Sequence, residues 1–128
     1  MSDYELIYSC KGAIYDVYNE LGPGLLENVY KQALAYEISE RGLQVEIEKP
    51  IPVIFKDQKL EHGYRADLII ENKLIIEIKS VDEIARVHHL QLMTYLKLSE
   101  IPHGILVNFN TADIKKNIFY WDSKKIVR

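Results

Sequence analysis

Three charged residues interrupt two apolar runs near the middle of the chain. Asp67 directly precedes Leu-Ile-Ile, and Glu77 and Lys79 follow a second Leu-Ile-Ile run. Residues two apart on a strand point to the same side, so Glu77 and Lys79 share a face. Buried charges are unfavourable unless a partner neutralises them, and carboxylates suit a divalent cation. The pattern therefore indicates a metal site within a sheet.

The polar segment Glu71-Asn72-Lys73 separates the two apolar runs and predicts a β-hairpin. If these three residues form the loop, Asp67 lies directly opposite Glu77, and Arg65 lies opposite Lys79. Two carboxylates and a lysine would then converge on one patch of a largely buried sheet.

Such a patch has the composition of a phosphodiester-cleaving site. Mg²⁺ prefers oxygen ligands and keeps several waters, so Asp67 and Glu77 would suffice, and the backbone carbonyl of Ile78 offers a further oxygen. The cation would activate a water and stabilise charge on the phosphate. Lys79 would orient or deprotonate that water, or screen developing negative charge. The alternative is a structural ion pair between Glu77 and Lys79, and this spacing alone does not exclude it.

Apolar residues at spacings of three and four predict three helices. Gly22-Pro23-Gly24 ends the first of them, and Cys10 falls on its apolar side. The predicted apolar set of the second helix is Leu26, Val29, Ala33, Leu34 and Ile38. The helices are expected from about Tyr4 to Leu21, Leu25 to Arg41 and Asp82 to Leu98.

Strand patterns fill the intervals between the helices. Alternation from Gln44 predicts one strand, and residues 53–55 predict a further segment. Residues 56–59 are expected to turn into the strand that carries Asp67. Residues 104–109 and 118–121 predict two final strands. The expected order is helix, helix, strand, hairpin, helix, strand, strand.

Two of the predicted helices carry polar residues on one face. Glu27 and Tyr30 stand three apart near the start of the second helix, where the helix dipole alone would also explain a carboxylate. His88, Gln91 and Tyr95 form one stripe on the third helix. A single histidine serves packing or solvation as readily as phosphate binding, so both interpretations of His88 stay open.

Composition bounds the class of protein. The chain has 128 residues, 48% hydrophobic and 27% charged, which suits one globular domain over residues 1–128. A formal charge of −3 gives no basic excess that would indicate nucleic-acid binding by itself. The single cysteine excludes an internal disulfide. We find no signal peptide or membrane-spanning stretch, so a cytoplasmic location is expected.

Taken together, these residues resemble a known nuclease superfamily. Asp67 with Glu77-Ile78-Lys79 resembles the PD-(D/E)XK signature, although Ala66 replaces the proline, a position that the superfamily keeps loosely. Residues 24–30 match the G-x-x-E-x-x-Y signature of a small family within it. Residues 91–95 resemble the Q-x-x-x-Y element of its RecB-like nucleases.

The resemblance implies a fold and a role for each matched residue. The implied fold is α/β and restriction-endonuclease-like, with an αβββαβ core, a central mixed sheet flanked by helices, an extra N-terminal helix and a C-terminal strand. Asp67, Glu77, Glu27 and the Ile78 carbonyl would bind Mg²⁺ or Mn²⁺, and Lys79 would serve the attacking water. The implied supporting residues are Gln91, Tyr95 and Tyr30. His88 and Arg65 are added from their positions alone as candidate phosphate contacts.

Three functions follow as hypotheses. The first is a metal-dependent nuclease that acts on nucleic acid, on DNA rather than RNA. The second is a catalytically silent nucleic-acid- or protein-binding module on the nuclease fold. The third is a subunit role, in which exposed tyrosines on the first helix form a homodimer face; these are Tyr4, Tyr8, Tyr15 and Tyr18.

Overall fold

The computed structural model describes residues 1–60 and 63–125, which form three α-helices and seven strands. The helices are α1 (Asp3–Leu21), α2 (Glu27–Glu40) and α3 (Arg86–Ser99). The strands are β1 (Val45–Pro50), β2 (Val53–Phe55), β3 (Gln58–Leu60), β4 (Arg65–Ile70), β5 (Leu74–Lys79), β6 (His103–Asn108) and β7 (Ile118–Asp122).

Five strands form a mixed central sheet in the order β1-β4-β5-β6-β7. β5 and β6 run parallel because α3 crosses between them, and the other neighbouring pairs are antiparallel. The sheet and its flanking helices confirm the predicted restriction-endonuclease-like architecture. β4 and β5 occupy the second and third positions, so the strands that carry Asp67, Glu77 and Lys79 are interior ones.

The β4–β5 hairpin has the predicted three-residue loop. Ile70 pairs with Leu74 and Leu68 pairs with Ile76. The loop residues Glu71 and Asn72 both have positive φ, a conformation that asparagine tolerates and that lets the chain reverse within three residues. Continued by one residue, this register sets Asp67 opposite Glu77.

Helices cover both faces of the sheet. α1 and α2 pack on one face against the alternate strand residues Leu68, Ile76 and Val107. α3 packs on the other face against Ile69 and Ile75.

Gly104 on β6 lets α3 approach the sheet closely. A Cβ at this position would lie 2.9 Å from Leu92 and 3.0 Å from Leu96. Because the glycine has none, the face of α3 that carries Leu92 and Leu96 packs directly on β6.

Three local predictions differ from the structure. α3 begins at Arg86 rather than near Asp82, because residues 82–85 are bends and irregular chain and the His88 imidazole caps the Ala85 amide. In α2 the predicted apolar residues Leu26 and Val29 are exposed. The buried side of the helix consists instead of Tyr30, Lys31, Leu34, Ala35 and Ile38.

The third difference concerns residues 56–59, which do not simply lead into β4. β2 and β3 pair with each other as a separate two-stranded ribbon. Its turn residues Lys56 and Asp57 both have positive φ, the geometry of a tight two-residue hairpin turn. The ribbon extends from the end of the sheet where β1 stops and β4 starts.

The tyrosines of α1 are not uniformly exposed, contrary to the expectation of a four-tyrosine face. Tyr4 and Tyr8 are exposed and stack on each other, with ring centroids 6.5 Å apart. Tyr15 and Tyr18 are half-buried, and the Tyr18 hydroxyl donates to the Thr111 carbonyl. Among the described residues, no helix is long and apolar enough to cross a membrane.

Candidate active site

Asp67 and Glu77 face each other where the β4–β5 ladder ends. The Asp67 backbone N–H donates to Glu77 Oε2 at 2.8 Å, and the Ile78 N–H donates to Asp67 Oδ2 at 2.8 Å. Beyond Leu68–Ile76 the two strands are therefore joined through side chains. Each carboxylate is fixed by the backbone of the opposite strand, so the pair is held in place before any ligand binds.

The Glu77 side chain lies in an environment that disfavours its charge. The residue is only 3% exposed. Burial raises the pKa of its carboxyl well above the usual value, and the neighbouring charge of Asp67 raises this pKa further. The Asp67 amide and the Lys79 charge lower the pKa, but less strongly. A buried and a half-buried carboxylate on facing strand positions are favoured by a nearby positive charge.

A lysine that the sequence patterns did not identify supplies part of that charge. Lys31, on the buried side of α2, is 7% exposed and places Nζ 3.1 Å from Asp67 Oδ1. Burial opposes its charge, but the hydrogen bond to Asp67 leads the opposing interactions that raise the pKa of Lys31 overall. The spacing of Lys31 in the sequence indicates this position, because it lies one turn after Glu27 and beside Tyr30, on the side that α2 buries.

Glu48 on β1 is a second residue that the sequence patterns missed. Its Oε1 lies 3.6 Å from Lys31 Nζ. The β1–β4 register, which pairs Ile47 with Leu68, sets Glu48 opposite Asp67. Glu48 has φ 52°, an unusual backbone conformation for glutamate within a strand. Glu48, Asp67 and Glu77 therefore form a transverse row of carboxylates across three adjacent strands.

Lys79 is the second cation of the site. It is half-buried at the end of β5, and it forms no ion pair with any residue in the described part of the chain. Its charge nevertheless acts on Glu77, two residues earlier on the same strand face, by lowering the pKa of that carboxyl. The ammonium of Lys79 is thus available to a ligand.

Glu27 enters from the start of α2. It is the first residue of that helix and is half-buried. The Ser80 hydroxyl donates to the Leu25 carbonyl at 2.6 Å, which ties the segment before α2 to the segment after β5. The charge of Glu27 helps to raise the pKa of Lys31. Glu27 therefore lies at the same end of the sheet as Asp67 and Glu77.

Tyr30 holds this segment in place from inside the protein. It is fully buried, and its ring stacks on Phe109 with centroids 4.6 Å apart. Its hydroxyl donates to the Gly22 carbonyl at 2.5 Å and accepts the Leu25 N–H at 3.1 Å. Glu27 and Tyr30 thus do not present a common surface, and Tyr30 fixes the chain that leads to Glu27.

The α3 wall of the site consists of Gln91 and Tyr95. Gln91 Nε2 donates to the Tyr95 hydroxyl at 2.8 Å. Burial raises the pKa of Tyr95 and the charge of Glu77 raises it further, whereas hydrogen bonds with Gln91 and with the Arg65 backbone, two residues before Asp67, lower it. The Tyr64 ring packs edge-on against Tyr95, with centroids 5.7 Å apart.

The remaining predicted residues, His88 and Arg65, have contacts of their own. His88 Nδ1 accepts the Ala85 N–H at 2.9 Å, so this nitrogen serves the start of α3. Arg65 is exposed at the start of β4, and its guanidinium donates to the Glu48 carbonyl at 3.3 Å. Arg65 pairs across the sheet with Pro50 on β1.

Asn108, the last residue of β6, is a buried polar residue next to Lys79. It is 1% exposed and pairs with Lys79 across β5–β6. Its side chain accepts the Val81 N–H at 3.1 Å and donates to the Val81 carbonyl at 2.9 Å. This clamp fixes the chain directly after Lys79.

The donor set suits a hard divalent cation. Asp67 and Glu77 supply carboxylate oxygens, and the Ile78 carbonyl lies between Glu77 and Lys79 in the chain. A positive group, Lys31, already sits on Asp67 Oδ1. Within residues 1–60 and 63–125, no three acidic, histidine or cysteine side chains gather into a ready metal-binding cluster. The arrangement therefore fits one or two carboxylate ligands with water completing the coordination.

Comparison with known proteins gives one family match. The family model described as the PD-(D/E)XK nuclease superfamily matches residues 4–119, which include every residue of the candidate site. No curated protein and no solved structure matches the chain.

Proposed function

Because this chain belongs to the PD-(D/E)XK nuclease superfamily, we propose that it is a metal-dependent nuclease that hydrolyses phosphodiester bonds in nucleic acid. The observation that carries the proposal is the pair of buried Glu77 and half-buried Asp67, fixed by two reciprocal backbone hydrogen bonds. A sheet interior has no structural need for two adjacent carboxylates, whereas a cation-dependent hydrolase does.

Within the superfamily, we propose membership of the GxxExxY family. The support is the Gly24-Leu25-Leu26-Glu27-Asn28-Val29-Tyr30 segment, in which Tyr30 fastens the turn before Glu27 through two hydrogen bonds. The Gln91–Tyr95 hydrogen bond on α3 supports a RecB-like Q-x-x-x-Y element.

Asp67 and Glu77 would hold Mg²⁺ or Mn²⁺, together with the Ile78 carbonyl and with Glu27 directly or through water. The bound cation supplies an activated water and stabilises negative charge on the phosphate. Lys79 carries an ammonium without a partner in the described chain, so it orients the attacking water or screens charge at the scissile phosphate.

The surrounding residues bind and orient the substrate. The Gln91–Tyr95 pair walls the site on the α3 side and fixes the orientation of the phenol. The exposed Arg65 guanidinium would contact a phosphate outside the scissile position. His88 has one ring nitrogen engaged at Ala85, which leaves the other for a phosphate.

Cleavage assays with matched variants test the proposal. Labelled single- and double-stranded DNA, and RNA in parallel, are incubated with the protein and Mg²⁺ or Mn²⁺. We expect wild type to cleave DNA, Asp67→Asn to be inactive and Lys79→Met to lose roughly 100-fold or more in rate. Lys73→Met is the control, because Lys73 is an exposed lysine in the β4–β5 loop that pairs with Asp3.

Cleavage that persists in both Asp67→Asn and Lys79→Met would contradict the assignment, as would no cleavage of any substrate. One observation favours the second function, a catalytically silent module: Lys31 neutralises Asp67 without any metal. Calorimetry with Mn²⁺ separates the two functions, because the silent module is expected to bind no cation at Asp67.

A further inference from the structure

Lys31 engages the one oxygen of Asp67 that the backbone leaves free. Asp67 Oδ2 accepts the Ile78 N–H at 2.8 Å, whereas Oδ1 lies 3.1 Å from Lys31 Nζ. Both carboxylate oxygens are therefore occupied. A divalent cation can reach Oδ1 only if Lys31 moves away or shares it.

The structure also offers Lys31 another partner. Glu48 Oε1 is 3.6 Å from the same Nζ, and its side chain is about half exposed, whereas that of Asp67 is 15% exposed. The unusual φ of Glu48 occurs at the one β1 position that lies opposite Asp67. Since a lysine stem is flexible, Nζ can move from Asp67 to Glu48 while α2 stays in place.

We propose that Lys31 is a resident counter-cation: it holds the Asp67 carboxylate while no divalent cation is bound and competes with that cation for Oδ1, with Glu48 as its alternative partner. This inference rests on the proposed function, because it takes Asp67 to be a cation ligand. Lys31 acts through Asp67 and is thus a positioning residue.

Competition has a consequence that a purely structural ion pair lacks. Loss of the Lys31 charge leaves Asp67, Glu77 and Glu48 with less compensation, so their attraction for a divalent cation increases. If Lys31 only fixed the Asp67 rotamer, the same loss would disorder a ligand and weaken cation binding. The sign of the change in affinity distinguishes the two roles.

The test is calorimetric titration of the full chain with Mn²⁺ alone, without nucleic acid. We expect Lys31→Gln to bind Mn²⁺ about tenfold more tightly than wild type. Lys73→Gln removes an exposed lysine at the opposite end of β4 and β5 and controls for net charge. An unchanged or weaker affinity in Lys31→Gln, or an equal increase in Lys73→Gln, would overturn the inference.

A second variant keeps the test decisive if Lys31→Gln does not fold. Lys31→Arg retains the charge and offers two parallel hydrogen bonds to a carboxylate, so it is expected to hold Asp67 more firmly and to weaken Mn²⁺ binding. Unchanged or tighter binding by a folded Lys31→Arg would argue against competition. Circular dichroism establishes that each variant is folded.

Glu48→Gln probes the alternative partner. Without Glu48, the Lys31 ammonium has no alternative carboxylate when a cation displaces it from Asp67. Glu48→Gln is therefore expected to lower the Mn²⁺ affinity more when Lys31 is present than in the Lys31→Gln background. Equal effects in both backgrounds would remove Glu48 from the mechanism.

The two proposals fail in different ways. Absence of Mn²⁺ binding in wild type, with Asp67→Asn indistinguishable from it, would overturn both the proposed function and this inference. Mn²⁺ binding that depends on Asp67 but not on Lys31 would overturn the inference alone.

Discussion

The Asp67–Glu77 pair shows how a carboxylate cluster can be built into a sheet. Each side chain accepts a backbone N–H of the opposite strand through one oxygen, so the charges replace part of the ladder. The arrangement is unfavourable for the metal-free protein, because burial and the neighbouring charge both oppose ionisation of Glu77. Stability and ligand binding are therefore expected to conflict at this residue.

Glu77→Gln tests that conflict. Folding raises the pKa of the Glu77 carboxyl. Its contribution to the unfolding free energy is therefore largest below the unfolded-state pKa, near 4.5, and is lost as the pH rises through the folded-state pKa. We expect metal-free Glu77→Gln to exceed wild type in unfolding free energy by about 1–2 kcal/mol at pH 8, and by little at pH 4.

Urea denaturation at the two pH values measures this difference. Glu46→Gln is the matched control, because Glu46 is exposed on β1 and pairs with Lys49 on the surface. A Glu77→Gln variant that is less stable than wild type at pH 8 would show that the negative charge of Glu77 stabilises the fold.

The residues of the site were predictable to different degrees. Asp67 and Glu77 could be paired because the three-residue loop fixes the register. Lys31 was missed, although it lies one turn after Glu27, because Leu26 and Val29 suggest a different buried side for α2. Those two residues are exposed in the structure, and the side that carries Lys31 is buried instead.

At the scale of elements, the turn before α2 is held in place by hydrogen bonds to the Tyr30 hydroxyl. Tyr30→Phe keeps the stacking on Phe109 but removes both hydroxyl hydrogen bonds, to Gly22 and Leu25. We expect a loss of about 1–3 kcal/mol in unfolding free energy, because two backbone groups lose their bonds to a hydroxyl on a buried ring. Since Glu27 follows this turn, cleavage is expected to slow as well.

Tyr18→Phe is the control for this element. It also removes one hydroxyl, which donates to the Thr111 carbonyl far from Glu27 in the chain. We expect it to destabilise the protein without slowing cleavage under conditions where the variant is fully folded. Equal loss of cleavage in the two folded variants would show that Tyr30 has no specific link to the site.

The β2–β3 ribbon is the second element with a testable role. It leaves the sheet at the end that carries Asp67, and it exposes Ile54, Phe55 and Leu60. Lys56 Nζ lies over the Phe55 ring at 5.4 Å from its centroid, so an aromatic surface and a positive charge stand together. A nucleic-acid strand that reaches the carboxylates would pass this ribbon.

Phe55→Ala is therefore expected to weaken binding of single-stranded DNA roughly tenfold, the effect of losing one stacked base. Fluorescence anisotropy in an Asp67→Asn background measures affinity without cleavage. Tyr36→Ala, which removes an exposed aromatic ring from the later part of α2, is the control. Equal affinities for the two variants would exclude the ribbon from the binding surface.

For the elements, sequence periodicity predicted the order and most boundaries, because α1, β4, β5 and β6 have strongly apolar buried faces. It did not predict the separate ribbon, because a turn built on Lys56 and Asp57 lacks the glycine that usually marks such hairpins. The late start of α3 depends on a single cap, the His88 imidazole on the Ala85 amide.

At the scale of the whole molecule, the candidate site lies where both helical layers meet the sheet. α2 brings Lys31 and Glu27, β4 and β5 bring the carboxylates, and α3 brings the Gln91–Tyr95 pair. A cation would bind there only in the folded protein, because these residues are far apart in the unfolded chain. Its binding should therefore stabilise the molecule as a unit.

Cys10 provides a reporter of that global stability. It is fully buried in α1, between α2 and the sheet, and burial raises the pKa of its thiol to about 12. The native thiol is thus neither exposed nor ionised, and a disulfide reagent reaches it only when the core opens. Mn²⁺ at ten times its dissociation constant is expected to slow labelling about tenfold, because it binds the closed form alone. In Asp67→Asn, Mn²⁺ should leave the labelling rate unchanged. Equal slowing in that variant would place the cation outside the β4–β5 site.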